Sequence, residues 1–153
     1  MMAGHRRLLL VLGLIGTMMI APSASAVDTP PSTDLPDLSG IRAKIYADRY
    51  QDAIVDLEAL TASVKHADLY NLLGFANRKL KRYDAAAKWY KEALYYAPDH
   101  RPALEYQGEL FIALGDLDAA QANLDLLTLF CPNGCAEKDT LAKAIASAGE
   151  HQH

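Results

Sequence analysis

The sequence predicts an all-α fold, a stack of antiparallel helical hairpins, on two observations. The triplet Gly74, Ala86 and Pro98 recurs as Gly108, Ala120 and Pro132, each member displaced by the same 34 residues. A period of this length marks an array in which each unit buries its apolar face by stacking on the next. The second observation is residue type. Glycine and alanine carry almost no side chain, so two helices can touch closely where they cross, and proline ends a helix where the chain must reverse.

The elements follow in chain order. His5, Arg6 and Arg7 precede the apolar run from Leu8 to Ile20, and Ala24, Ser25 and Ala26 form a small-residue cleavage site. That three-part build predicts a secretory signal peptide over residues 1–26. Its 13 apolar or small residues fall short of the span of about 20 that a bilayer requires. No later segment approaches that length, and no Leu-x-x-Cys lipidation site follows. The chain is therefore expected to be exported, most plausibly to a bacterial periplasm, with no membrane insertion after cleavage. Residues 27–37, rich in Pro, Ser, Thr and Asp, offer little to bury and are expected to form a flexible linker.

A first hairpin is expected over residues 38–66. Its first helix covers about 38–47, and in its second helix Ala53, Leu57 and Leu60 answer to Ala86, Tyr90 and Ala93 at a spacing of 33. Two full units follow, over 67–100 and 101–134, with turns at Lys81 to Asp84 and Gly115 to Asp118. The register then continues through Cys135, Leu141, Ala142 and Ile145. This is the first helix of a fourth unit that lacks its partner, so residues 135–149 are expected to cap the open end of the stack. Residues 150–153 form a tail.

Within residues 67–100, Tyr70, Leu73, Gly74, Asn77, Ala86, Tyr90, Ala93 and Pro98 occupy positions 4, 7, 8, 11, 20, 24, 27 and 32 of a 34-residue unit. The next unit places Leu104, Gln107, Gly108, Phe111, Ala120, Leu124, Leu127 and Pro132 there. These residues resemble the tetratricopeptide pattern W-x2-L-G-x2-Y, A-x3-F, P, with Tyr for Trp and for Phe. Asn77, Gln107 and Leu127 depart from it. The resemblance implies a right-handed α-solenoid of about three hairpins plus a capping helix, built to bind other proteins.

Composition narrows the function classes. The whole chain carries 15 Lys and Arg against 19 Asp and Glu, and Arg6 and Arg7 leave with the leader, so 13 basic residues face 19 acidic ones. Such acidity argues against nucleic acid or an anionic membrane as the main partner. There is no Gly-x-Ser-x-Gly, no phosphate-cradling loop and no cofactor motif, so catalysis is not expected.

The only cysteines are Cys131 and Cys135. In an exported protein so close a pair most simply forms a disulfide, here pinning the cap to the last hairpin. A thiol-redox or metal-handling role is the alternative, since Cys135 starts a helix whose dipole favours a thiolate. Against it stand the C-x3-C spacing and the shortage of further ligands. His66 and His100 occupy matching turn positions, expected to lie about 10 Å or more apart, at least one helix spacing.

In proteins that this chain resembles, positions 2, 5, 9, 12 and 13 of each first helix line a concave groove that holds segments of partners. The resemblance carries these positions to Asp68, Asn71, Phe75, Arg78 and Lys79 in the second unit. In the third they become Pro102, Glu105, Glu109, Ile112 and Ala113, and in the cap Ala136, Asp139, Lys143, Ala146 and Ser147. The groove is then expected to run from a basic, aromatic end to an acidic one and to take a mixed-charge or partly basic segment. Trp89, Tyr90 and Tyr96 fall at expected core positions, whereas Tyr95 should point outward. The resulting expectation is an adaptor or accessory subunit holding a segment of an envelope protein, with an export-linked chaperone as a further alternative.

Overall fold

The computed structural model describes residues 34–150. The expected signal peptide, residues 27–33 of the linker and residues 151–153 of the tail lie outside them. The described residues form seven helices: α1 (Ser39–Tyr46), α2 (Tyr50–Thr61), α3 (Ala67–Lys79), α4 (Tyr83–Tyr96), α5 (Arg101–Ala113), α6 (Leu117–Phe130) and α7 (Ala136–Glu150). They pair as three hairpins, α1–α2, α3–α4 and α5–α6, with α7 packed on both helices of the last hairpin. The fold is an all-α solenoid with a terminal helix over its end.

Each hairpin turns by the same device. The residue after the first helix's C-cap has a left-handed backbone: Asp48 at φ 56°, Lys81 at φ 58° and Gly115 at φ 80°. The next residue donates its N–H back across six residues, Arg49 to the Lys44 carbonyl, Arg82 to Asn77 and Asp116 to Phe111, each at 2.9 Å. These are Schellman closures, which satisfy carbonyls that the helix end leaves unpaired. Their recurrence makes the first hairpin a full member of the series despite its 33-residue spacing.

The starts of α3, α5 and α6 are capped from side chains. His66 Nδ1 accepts from the Asp68 N–H and His100 Nδ1 from the Ala103 N–H, both at 3.1 Å, and Asp116 Oδ1 accepts from the Ala119 N–H at 3.0 Å. Because Nδ1 of His100 accepts, its Nε2 carries the proton and donates to Asp68 Oδ1 at 2.8 Å, which ties α5 to α3.

The small residues work in two ways. A Cβ at Gly74 would lie 2.5 Å from the ring of Tyr90 on α4, so the close approach within one hairpin is as expected. At Gly108 the neighbour is different. A Cβ there would lie 2.6 Å from Leu141 on α7, not from α6. With Leu124 where the preceding unit has Tyr90, the space over the glycine is filled by the cap.

One departure from the repeat pattern, Gln107, finds its partner across the hairpin. Asn123 is buried, and its Nδ2 donates to the Leu104 carbonyl at 2.9 Å and to Gln107 Oε1 at 3.0 Å, so the polar side chain at 107 has a partner in the opposite helix. Asn77, also buried, donates to the Leu73 carbonyl of its own helix at 2.8 Å. Leu127 is fully buried with Leu104 and Leu141, forming a separate small core beneath the cap. The larger core joins α1 to α4 around Leu57, Leu69 and Leu73.

Cys131 and Cys135 lie at disulfide-bonding distance with Cα atoms 5.9 Å apart, at the junction of α6 and α7. Tyr90 is fully buried and Trp89 half-buried, whereas Tyr96, expected inside, is 44% exposed. Tyr96 lies over the ring of Tyr70 at 5.3 Å, and Trp89 stacks on Tyr70 at 5.8 Å, so Tyr70 is covered and Tyr96 remains open on its outer side. Tyr95 is 77% exposed, as expected.

Candidate functional site

The first helices of the three hairpins share one face, and a cavity of about 90 Å³ opens there. Arg42, Ile45 and Tyr46 come to it from α1, Leu72 and Phe75 from α3, and Tyr106 from α5. Helical spacing explains the set. Residues three and four apart on one helix stand on one face, so 42, 45 and 46 project together, as do 72 and 75. Phe75 and Tyr106 meet at 5.0 Å with rings tilted by 54°, and Tyr50 packs edge-on against Phe75 at 6.3 Å.

A cationic roof lies on these rings. The Arg78 guanidinium sits 5.6 Å from the centre of Phe75 and 5.7 Å from that of Tyr106, and Lys79 Nζ sits 5.4 Å from Phe75. Such contacts stabilise a cation while leaving its polar edge available. Arg78 also pairs with Glu109 on α5 and donates from Nε to the Tyr90 hydroxyl at 3.4 Å. The ends expected to differ in charge are thus joined by an ion pair. The cations Arg42, Arg78 and Lys79 stand on α1 and α3, and the carboxylates Glu105, Glu109 and Glu137 on α5 and α7.

The carboxylates beside Tyr106 are more crowded. Burial pushes the Glu105 carboxyl up to about 7, and the negative charges of Glu109 and Glu137 add to the shift, partly offset by Arg78. Tyr106 is raised for the same reasons, burial first and then Glu105 and Glu109. Glu137 belongs to α7, so the acidic group bridges the last hairpin and the cap.

The structure separates the groove positions. Phe75, Arg78, Lys79, Glu105 and Glu109 gather about Tyr106 or the cavity. Asp68 instead accepts from His100 at the junction of two hairpins, and Asn71 is only 5% exposed, its Oδ1 lacking a hydrogen-bond partner. Ile112 packs against the small core of Leu104, Leu127 and Leu141. Asp139 and Lys143 are exposed on α7.

Sequence reasoning missed Arg42, Ile45 and Tyr46, although the spacing of 33 that links Ala53 to Ala86 also carries Phe75, Arg78 and Lys79 back to these three residues. Leu72 and Tyr106 stand at position 6, outside the positions considered. Glu137 is one residue from the position assigned to the groove in α7.

His66 and His100 act as helix caps. Among the described residues no three His, Cys, Asp or Glu side chains converge as a set able to hold a metal ion. Nor, among those residues, is any helix long and apolar enough to cross a membrane.

Residues 67–100 match the tetratricopeptide repeat family. This segment is a tetratricopeptide repeat. The matched segment is the hairpin α3–α4 with its closing Pro98, and the recurring Schellman turns place the hairpins on either side in the same series. The fold of this repeat protein is similar to that of PcrH, solved in complex with the chaperone binding region of PopD. The likeness has a TM-score of 0.62 and 19% identity, and covers 76% of this chain and 93% of that one. No curated protein sequence matches the chain.

Proposed function

We propose that this tetratricopeptide-repeat protein binds an extended segment of a partner protein along the face built by α1, α3, α5 and α7, as a non-catalytic adaptor. One apolar or aromatic side chain of the segment enters the cavity of Ile45, Leu72, Phe75 and Tyr106, with Tyr46 as its outer wall. The observation that carries this reading is the cavity, which collects aromatic rings from successive hairpins beneath Arg78 and the exposed Lys79. Tyr46 is 84% exposed, and an aromatic ring that open beside an apolar hollow offers contact area at small entropic cost.

The complex of PcrH with the chaperone binding region of PopD supports a second version, in which the protein acts as an export-linked chaperone of the chain whose segment it holds. The signal-peptide pattern of residues 1–26 supports an exported, periplasmic address and hence an envelope partner. Cys131 is buried, which favours a structural staple over thiol exchange.

The test is affinity capture of the mature protein from its own cell envelope, with mass spectrometry of the bound chains, run beside the Tyr46→Glu variant. Selective loss of one bound protein from the variant is the expected result. Identical captured sets from the two proteins would refute the cavity as the binding site.

A further inference from the structure

The charges around the cavity are unevenly satisfied. Arg78 pairs with Glu109 and donates to the Tyr90 hydroxyl, so this cation is already engaged within the chain. Among the described residues, Arg42 and Lys79 have no carboxylate partner, and Glu105 and Glu137 have no cationic one. These unpaired charges are sorted by helix. Arg42 on α1 lines the cavity and Lys79 at the end of α3 sits over the Phe75 ring, both exposed, whereas Glu105 on α5 and Glu137 on α7 stand on the side of the cap. There the fold supplies one guanidinium, Arg78, for the three carboxylates Glu105, Glu109 and Glu137. The mismatch shows in Glu105, whose carboxyl is pushed up to about 7 by burial and then by its two acidic neighbours. Asn71 holds the matching repeat position on α3, 34 residues before Glu105. Its buried Oδ1 is a further acceptor without a donor.

We infer that the partner segment is itself charge-polar, with an acidic residue over Arg42 and Lys79, an aromatic or large apolar residue in the cavity, and a lysine or arginine against Glu105 and Glu137. The inference rests on the binding face proposed above and names the chemistry of its occupant. Charge complementarity selects it. A wholly acidic segment would meet repulsion beside α5 and α7, and a wholly basic one beside Arg42 and Lys79. Neighbouring first helices stand about 8–10 Å apart and an extended chain advances about 3.3 Å per residue, so each charged residue lies about three positions from the anchor, on opposite sides of it. The bound cation brings the missing counter-charge and favours ionised Glu105. The groups that act on Glu105 are Glu109 on its own helix, Arg78 on α3 and Glu137 on α7, with Tyr106 beside it. Below pH 7 binding therefore releases a proton from Glu105, and affinity falls as the pH drops through 7.

A phage-displayed library of random dodecapeptides, selected on the mature protein, supplies the probes. Enriched sequences are expected to share an aromatic or large apolar residue with Asp or Glu about three positions to one side and Lys or Arg about three to the other, and to lose binding to Tyr46→Glu. For the best of them that lacks histidine, followed by fluorescence anisotropy, affinity should fall up to about tenfold between pH 8 and pH 6. Glu105→Gln should remove that dependence. Lys79→Glu should weaken the same peptide several-fold, and changing the peptide's acidic residue to lysine should restore binding to this variant. Peptides that need Tyr46 but show no such charge pattern, a pH dependence that survives Glu105→Gln, or no recovery in the Lys79→Glu exchange would overturn this inference and leave the proposed binding face standing. Peptides that bind Tyr46→Glu as well as the wild type, or a library that yields no binder, would overturn both.

Discussion

Leu141 occupies the space that a side chain at Gly108 would need, its Cδ1 lying 2.6 Å from a Cβ built there. The cap is thereby keyed to the last hairpin by one glycine and one leucine. Gly108→Ala should destabilise the protein by about 1–3 kcal/mol through overpacking. Leu141→Ala should cost about 2–5 kcal/mol on its own. Combined, the two changes should be less harmful than their sum, because the space vacated at 141 admits the methyl group at 108. A thermal or urea denaturation cycle over the four proteins measures that coupling.

The Schellman turns make a second prediction. Lys81 holds the same left-handed conformation that Gly115 holds one repeat later, and a side chain there costs about 1 kcal/mol relative to glycine. Lys81→Gly should raise the urea midpoint by about that much free energy, partly reduced by the greater freedom of the unfolded chain. Gly115→Ala should lower it. Opposite signs for these two substitutions would establish the shared turn geometry.

Glu105 predicts a pH dependence. Its carboxyl titrates at about 7 in the fold against an ordinary value of 4.5. Below pH 4.5 both folded and unfolded chains hold the proton, so there is no penalty. Between 4.5 and 7 the unfolded chain gives up the proton while the fold retains it, and stability falls; above 7 the loss is constant. Glu105→Gln should therefore gain nothing at pH 4 and about 1 kcal/mol at pH 8, a figure reduced for the solvent that reaches this half-buried group. Chemical denaturation at the two pH values checks both magnitude and sign.

The cysteine pair predicts separation of stability from binding. Closing its short loop constrains the unfolded chain by about 2 kcal/mol on entropy alone. Cys131→Ser combined with Cys135→Ser should lower the melting temperature accordingly and leave partner capture intact. Loss of capture by a variant that remains folded at the assay temperature would return the thiols to a functional role.

The repeat was legible because its determinants are local. Gly74, Ala86 and Pro98 report on close approach and chain reversal within one hairpin, and Gly74 does meet Tyr90 as that logic requires. Gly108 shows where the logic stops. A glycine declares that something comes close, but the identity of the neighbour depended on Leu124 being shorter than Tyr90 and on Leu141 arriving from α7. The groove was legible to a similar degree. Phe75, Arg78 and Glu109 could be placed on the right face, yet their ion pair and the rings under Arg78 depend on how α3 and α5 lean together. Arg42, Ile45 and Tyr46 were hidden by a single deleted residue in the register of the first hairpin. Tyr96 was misread as core because its position was judged without Tyr70, which it covers while staying open on the other side.

The central claim is that the cavity face of α1, α3 and α5 holds a partner segment. Site-specific photo-crosslinking in living cells tests it most directly, with a photoreactive amino acid placed at Tyr46 on the cavity rim or at Val55, an exposed residue of α2. A discrete protein adduct is expected from position 46 and none from position 55. Adducts from position 55 with none from position 46 would contradict it.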